Sequence, residues 1–102
     1  MPTHDFSALF DQYPAVIAQM PAIFTSHQFI LRLAQQNQAL YIEALYDYRD
    51  AKHRGAPAPF MIVHSILSKH LNAHPDLIKR LDDVPSTDIF GQSNECAQWR
   101  KL

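Results

Sequence analysis

The stretch TSHQFILRLAQQNQALYIEALYDYRDAKHR, residues 25–54, decides the fold, because no proline or glycine interrupts it. Its first four residues have the form of a capping box, in which the Thr25 hydroxyl and the Gln28 amide satisfy the first backbone groups of a helix. Apolar side chains then recur at spacings of three and four. The pattern predicts one long spine helix over residues 26–53, against which the rest of the chain packs.

A polar run in the middle of this stretch raises the question of whether the helix is continuous. A straight helix of about 27 residues would be about 40 Å long, more than the width of a compact domain of this size. The helix therefore either breaks near residues 35–38 or projects towards a partner. Asn37 falls where an apolar residue is expected, and such a residue can fix the register between paired helices. There are two alternatives. Either the apolar face shifts around the helix so that position 37 is no longer on it, or the Asn37 side-chain amide forms a hydrogen bond with a loop.

The segments on either side of the spine also read as helical. Residues 1–24 form an apolar arm divided by Pro14 and Pro21, and residues 55–59 are a proline-rich connector. Residues 59–82 have the proportions of a helix–turn–helix pair. Its first helix covers residues 60–71, and its second covers residues 75–81, with a proline suited to the first helical position.

The tail, residues 84–102, allows two interpretations. We favour a last short helix capped by Ser93 and containing Cys96 and Trp99. The alternative is a small β-hairpin, which would give a winged-helix-like variant. The whole chain is thus predicted to be an all-α single domain of four to five helices. The expected core comprises Phe6, Leu9, Phe10, Ile17, Phe29, Ile30, Leu33, Leu40, Leu45, Phe60, Val63, Ile66, Leu67, Leu71, Leu77, Ile78 and Trp99.

Composition narrows the classes of function. With 102 residues, 47% of them hydrophobic, the chain fits one globular domain. A net charge of −1 lacks the basic excess that is typical of nucleic-acid-binding domains. A single cysteine suits a reducing compartment. No apolar run approaches the roughly 20 residues that span a bilayer, and we expect a cytoplasmic protein without a membrane partner.

No motif specific to a reaction occurs in the chain. Among six histidines, His70 and His74 have the spacing of a metal-binding pair on a helix. Pro75 indicates that the helix ends between them, and no third ligand is evident from spacing. Cys96 has no base nearby in sequence that would make it a nucleophile. We therefore expect a protein that is not an enzyme and needs no cofactor.

Two functional hypotheses remain. The first is a binding or adaptor module that acts through a protein partner or a second copy of itself, with Asn37, Tyr41 and Tyr48 as candidate contact residues. The second is a helix–turn–helix or winged-helix-like DNA-binding regulator. In that case the cations Lys69, Lys79 and Arg80 would face the DNA.

Overall fold

A computed structural model describes residues 4–49, 59–87, 91 and 93–102. The helices are α1 (Ser7–Phe10), α2 (Tyr13–Gln19), α3 (Ser26–Gln36), α4 (Gln38–Asp47) and α5 (Pro59–His70), and the strands are β1 (Ile23–Thr25), β2 (Ile78–Thr87) and β3 (Ser93–Lys101). A 3-10 turn, Leu71–Ala73, follows α5. None of the described helices is long and apolar enough to cross a lipid bilayer.

The prediction of an all-α domain is wrong, because the molecule contains a three-stranded antiparallel sheet in the order β1-β3-β2. β3 is the central strand. It pairs with β1 around Phe24 and Trp99 and with β2 along almost its whole length. The sheet packs its inner face against the helices and contributes Phe24, Ile78 and Trp99 to the core. The fold is therefore α+β, and not a helical domain with a hairpin added at one end.

The second helix of the predicted helix–turn–helix pair is also wrong. Residues 78–87 form β2, and the predicted tail helix is β3. Ile78, Leu81 and Val84 lie three residues apart, a spacing that resembles a helical period. A β-bulge between Arg80 and Asp83 explains it, because the extra residue shifts the alternation of side chains along the strand.

The single spine helix over residues 26–53 is wrong as well, since the chain breaks at Asn37 into α3 and α4. The break lies within residues 35–38, the polar run where the sequence allowed the helix to end. Asn37 leaves helical geometry with φ −134° and ψ 51°, and its side-chain amide donates to the Leu33 carbonyl at 3.1 Å. The polar side chain thus satisfies the end of α3. Residues 50–53 of the predicted helix and most of the connector, residues 55–58, lie outside the described residues.

One cluster of buried side chains joins the helices to the sheet. α1 packs against α4 and α2 against α3, and the buried Tyr13 hydroxyl of α2 donates to the Leu67 carbonyl of α5 at 2.5 Å. Most of the predicted core is buried, whereas six of its members are half-buried: Phe10, Leu40, Leu45, Phe60, Ile66 and Leu77. The buried residues absent from the predicted core are Tyr13, Val16, Met20, Phe24, Ala34, Tyr41, Ala44, Tyr48 and Ala97.

Candidate functional site

An open groove of about 450 Å³ runs between α5 and the β2–β3 hairpin, and we call it the hairpin groove. The N-terminal part of α3 also lines it. Its lining comes from α3, from α5 and the 3-10 turn after it, and from the strands β2 and β3: Ser26, His27, Ile30, Phe60, Met61, His64, Ser65, Ser68, Lys69, Asn72, Arg80, Asp83, Glu95, Cys96, Ala97 and Trp99. The groove thus exists only when the helices and the sheet are assembled.

The floor of the groove is held by a hydrogen bond between α3 and the sheet. β1 leads directly into α3 through the capping box, whose two reciprocal hydrogen bonds between Thr25 and Gln28 are present. This start places Ser26 next to Trp99, whose indole N–H donates to the Ser26 hydroxyl at 2.9 Å. Both side chains are buried. The indole is therefore fixed in position at the bottom of the groove.

A second polar contact fixes the wall of the groove. His64 lies on α5, is buried, and forms a 2.6 Å hydrogen bond through Nε2 with the hydroxyl of Tyr41 on α4. Hydrogen bonds between buried side chains restrict the relative movement of the elements that carry them. The contact accordingly ties α4 to the helix that forms the groove wall.

The rim of the groove carries both signs of charge. Lys69 on α5 is exposed, and Arg80 and Asp83 on β2 form an ion pair at 3.0 Å. Glu95 on β3 adds a second carboxylate. Exposed Ser65 and half-buried Ser68 provide neutral hydroxyl groups on the α5 side. The site therefore offers hydrogen-bond donors and acceptors around an apolar floor, with no excess of either charge.

The residues that the sequence suggested for protein contacts lie inside the molecule. Tyr41 and Tyr48 are buried, the first against His64 and the second against Phe6, with ring centroids 6.4 Å apart. Asn37 is half-buried at the helix break. None of these three side chains presents a broad surface to a partner.

The cations that the sequence suggested for DNA contacts are exposed, and two of them meet in the hairpin groove. Lys69 and Arg80 line it from opposite sides, whereas Lys79 lies next to Arg80 on β2 and does not line it. The helix that was expected to present Lys79 and Arg80 is replaced by a strand. The grouping of these side chains thus arises from the hairpin and not from a helix–turn–helix pair.

His70 and His74 form an aromatic cluster at the end of α5. The His70 ring stacks on Phe10 with ring centroids 3.5 Å apart, and Tyr13 contacts both imidazoles. The two imidazole centroids are 5.5 Å apart. Within the part of the chain that the structure describes, no group of three or more histidine, cysteine or acidic side chains could hold a metal ion. The contacts of this pair are those of packing residues.

Burial and the neighbouring His74 hold the pKa of His70 below its ordinary value of 6.5, because both disfavour a positive charge on the ring. Burial likewise raises the pKa of the Tyr13 phenol, which keeps it neutral and able to donate its hydrogen bond. At neutral pH the cluster is uncharged at these two rings. Acid conditions oppose its packing, since they favour the charged form of His70.

We expect the melting temperature of the protein to fall as the pH is lowered from 6.5, with part of this dependence coming from His70. Unfolded chains bind the proton at the ordinary pKa of 6.5, whereas the folded protein resists it, so acid favours unfolding. His70→Phe keeps a ring against Phe10 and removes the titration. Thermal denaturation by circular dichroism, from neutral pH down to the acid side of 6.5, should show a weaker dependence in the variant. Equal dependence in both proteins would contradict the assignment.

Sequence reasoning missed most of the hairpin groove. It placed Trp99 in the core but did not pair it with Ser26, and it assigned no role to His27, Ser65 or Ser68. One signal was available: Met61, Ser65, Ser68 and Asn72 recur at helical spacing along α5 and the 3-10 turn after it, on the side opposite the buried Val63, Leu67 and Leu71. The other wall could not be found, because its residues come from two strands that were predicted as helices.

Comparisons with known proteins do not identify this chain. No family model matches the chain, and no curated protein or solved structure shows significant similarity to it.

Proposed function

We propose that this chain is a small non-enzymatic binding module that holds a segment of a protein partner in the hairpin groove. The observation that carries the proposal is the composition of the groove. Its floor is apolar and buried at Ile30, Ala97 and Trp99, and its rim is polar. Protein interfaces share this arrangement, in which an apolar centre excludes water and a polar rim sets orientation.

The size and charge of the groove favour a short polypeptide segment. A volume of about 450 Å³ accommodates a few side chains. The hydroxyls of Ser65 and Ser68 can bond to peptide N–H and C=O groups, which carry no net charge. The rim also contains Asp83 and Glu95, which would repel a phosphate backbone but can pair with basic side chains of a peptide.

We place the action of the module in the cytoplasm, without a membrane partner. Cys96 is the single cysteine of the chain and is a free, half-buried thiol in the groove lining. Thiols persist in a reducing compartment, where neither a disulfide nor an oxidised sulfur would alter the floor of the site.

The proposal is tested by panning a random-peptide display library on the full chain. Two natural reporters lie in the groove, because Trp99 is the only tryptophan and Cys96 the only cysteine. We expect selected peptides to change the fluorescence of Trp99 and to slow alkylation of Cys96. Ser65→Arg, which fills the rim with a long side chain, should weaken binding at least about tenfold, or about 1.4 kcal/mol.

The matched control is Ala39→Arg, an exposed helical position on α4 that does not line the groove. It adds the same side chain and the same charge elsewhere on the surface, and it should bind the peptides as the unaltered protein does. If no peptide is enriched, or if Ser65→Arg and Ala39→Arg bind equally well, the peptide-binding proposal is rejected.

Duplex DNA is the second candidate partner, and the exposed side of α5 favours it. No acidic residue occurs in α5, and its exposed positions include Ser65 and Lys69, with Asn72 following in the 3-10 turn. Ser65→Arg would strengthen DNA binding by adding a cation, whereas it weakens peptide binding. Lys69→Glu would abolish DNA binding. Fluorescence anisotropy with labelled duplex across a salt series separates the two candidates.

A further inference from the structure

The outer edge of β2 has no partner among the described residues. β2 is ten residues long and pairs only with β3, which leaves its other side open. No backbone hydrogen bond outside that ladder involves its residues from Lys79 onwards, within the part of the chain that the structure describes. Such an edge presents N–H and C=O groups that can pair with a further strand.

The charges along this edge are arranged in an unusual order. Lys79 and Arg80 are followed by Leu81 and then by Asp82 and Asp83, and all four charged residues are exposed. When the segment is reversed, each sign of charge lies opposite the other. We infer that the edge of β2 is a docking surface for β2 of a second copy of this chain, in antiparallel orientation.

Orientation follows from the same charge order. In an antiparallel pair related by a two-fold axis near Leu81, the basic end of the segment in one copy lies alongside the acidic end in the other, and the contact occurs twice. Opposite charges across neighbouring strands stabilise pairing, and like charges destabilise it. A parallel pair would place cation on cation. A neutral strand would supply no opposite charge to any of these residues.

The strength of this contact is limited by the backbone. The bulge between Arg80 and Asp83 interrupts the ladder at its centre, and Pro85 has no N–H to donate. Bulges, prolines and charges are devices that prevent indiscriminate pairing of strand edges. Pairing at this edge therefore depends more on charge complementarity than on a long ladder of backbone hydrogen bonds. The dimer is therefore expected to be weak, selective for its own sequence and sensitive to salt.

The ion pair already present on β2 does not prevent the exchange. Arg80 and Asp83 are 3.0 Å apart, with side chains 52% and 48% exposed. Exposed pairs of this kind contribute little to stability, so replacing the partner within the strand by one in the second copy costs little. This inference goes beyond the groove proposal, because it needs no occupant in the groove.

The experiment is a charge exchange measured by sedimentation velocity over a concentration series, at about 50 mM and about 500 mM NaCl. We expect the unaltered chain to dimerise at concentrations on the order of 0.1–1 mM in low salt, and to become monomeric in high salt. Lys79→Asp with Arg80→Asp gives an edge that is acidic throughout. Asp82→Lys with Asp83→Lys gives one that is basic throughout.

Each double variant should be monomeric by itself, since its own edge repels a second copy. A 1:1 mixture of the two should form a heterodimer, which shows that both variants remain folded. The quadruple variant, with the charge order reversed, should dimerise again. A monomeric unaltered chain at the highest concentration in low salt overturns the inference. Dimerisation of either double variant alone overturns it too, because another surface would then be responsible.

Discussion

Leu33→Ala is expected to lower the free energy of unfolding by about 2–5 kcal/mol. Leu33 lies in the middle of α3, is fully buried, and belongs to the cluster that joins the helices to the sheet. Removing its branched end leaves a cavity that the surrounding side chains cannot fill completely. Because small domains have a free energy of unfolding of only about 5–15 kcal/mol, the loss is large. Chemical denaturation followed by circular dichroism measures it.

The control is Ile66→Ala, which removes a side chain of the same volume from a half-buried position on α5. Its loss of stability should be smaller, since less of the side chain leaves water on folding. If both variants unfold at the same denaturant concentration, α3 does not have the central place in the core that the structure gives it.

Ser26→Ala is expected to lower the free energy of unfolding by about 1–3 kcal/mol, because it leaves the buried indole N–H of Trp99 without an acceptor. The two residues join the start of α3 to the central strand, and their hydrogen bond is 2.9 Å long. The position also lies in the hairpin groove. A red shift in the fluorescence of Trp99 should accompany the loss, since the indole becomes freer to reach water.

A double-mutant cycle separates the hydrogen bond from the volume changes. Trp99→Phe removes the donor, and Ser26→Ala in that background should then be nearly neutral. A cost of Ser26→Ala that is the same with tryptophan and with phenylalanine at position 99 would mean that the hydrogen bond contributes nothing measurable. Unfolding in urea, with circular dichroism as the signal, serves for all four proteins.

The helical half of the molecule was largely predictable from the sequence. The capping box at Thr25 and Gln28 starts α3, and the helix breaks at Asn37, where the polar run interrupts the apolar stripe. Both features are local, since the atoms that satisfy them lie within four residues in the chain. Local signals of this kind are legible without knowledge of the tertiary structure.

The sheet was not predictable from the same reasoning. Leu77, Ile78 and Leu81 have the spacing of a helical face, so periodicity pointed to the wrong element where the chain forms the bulged strand β2. In β3 the inward side chains of Ala97 and Trp99 alternate over too short a stretch to decide the matter. What selects the strand is pairing with β1, and the sequence does not state that Phe24 lies beside Trp99.

The hairpin groove was unpredictable for a related reason. One wall, on α5, has a regular stripe of small polar residues, but the other wall depends on where the sheet lies. Lys69 and Arg80 were chosen as cations of a helix–turn–helix pair that the described residues do not form, and the hairpin is what brings them to one site. Tyr41 and Tyr48 were predicted to contact a protein partner, but their rings complete the core.

Pairing of β1 with β3 can form only late in synthesis, because β3 is the last described element of the sequence. The Trp99–Ser26 hydrogen bond spans 73 residues of sequence, so α3 leaves the ribosome long before its partner strand exists. Until β3 emerges, Phe24 has no strand to cover it and the apolar face of α3 has no sheet beneath it. Contacts of such separation slow folding and expose apolar surface in the meantime. A nascent chain stalled before Trp99 should therefore be a client of chaperones.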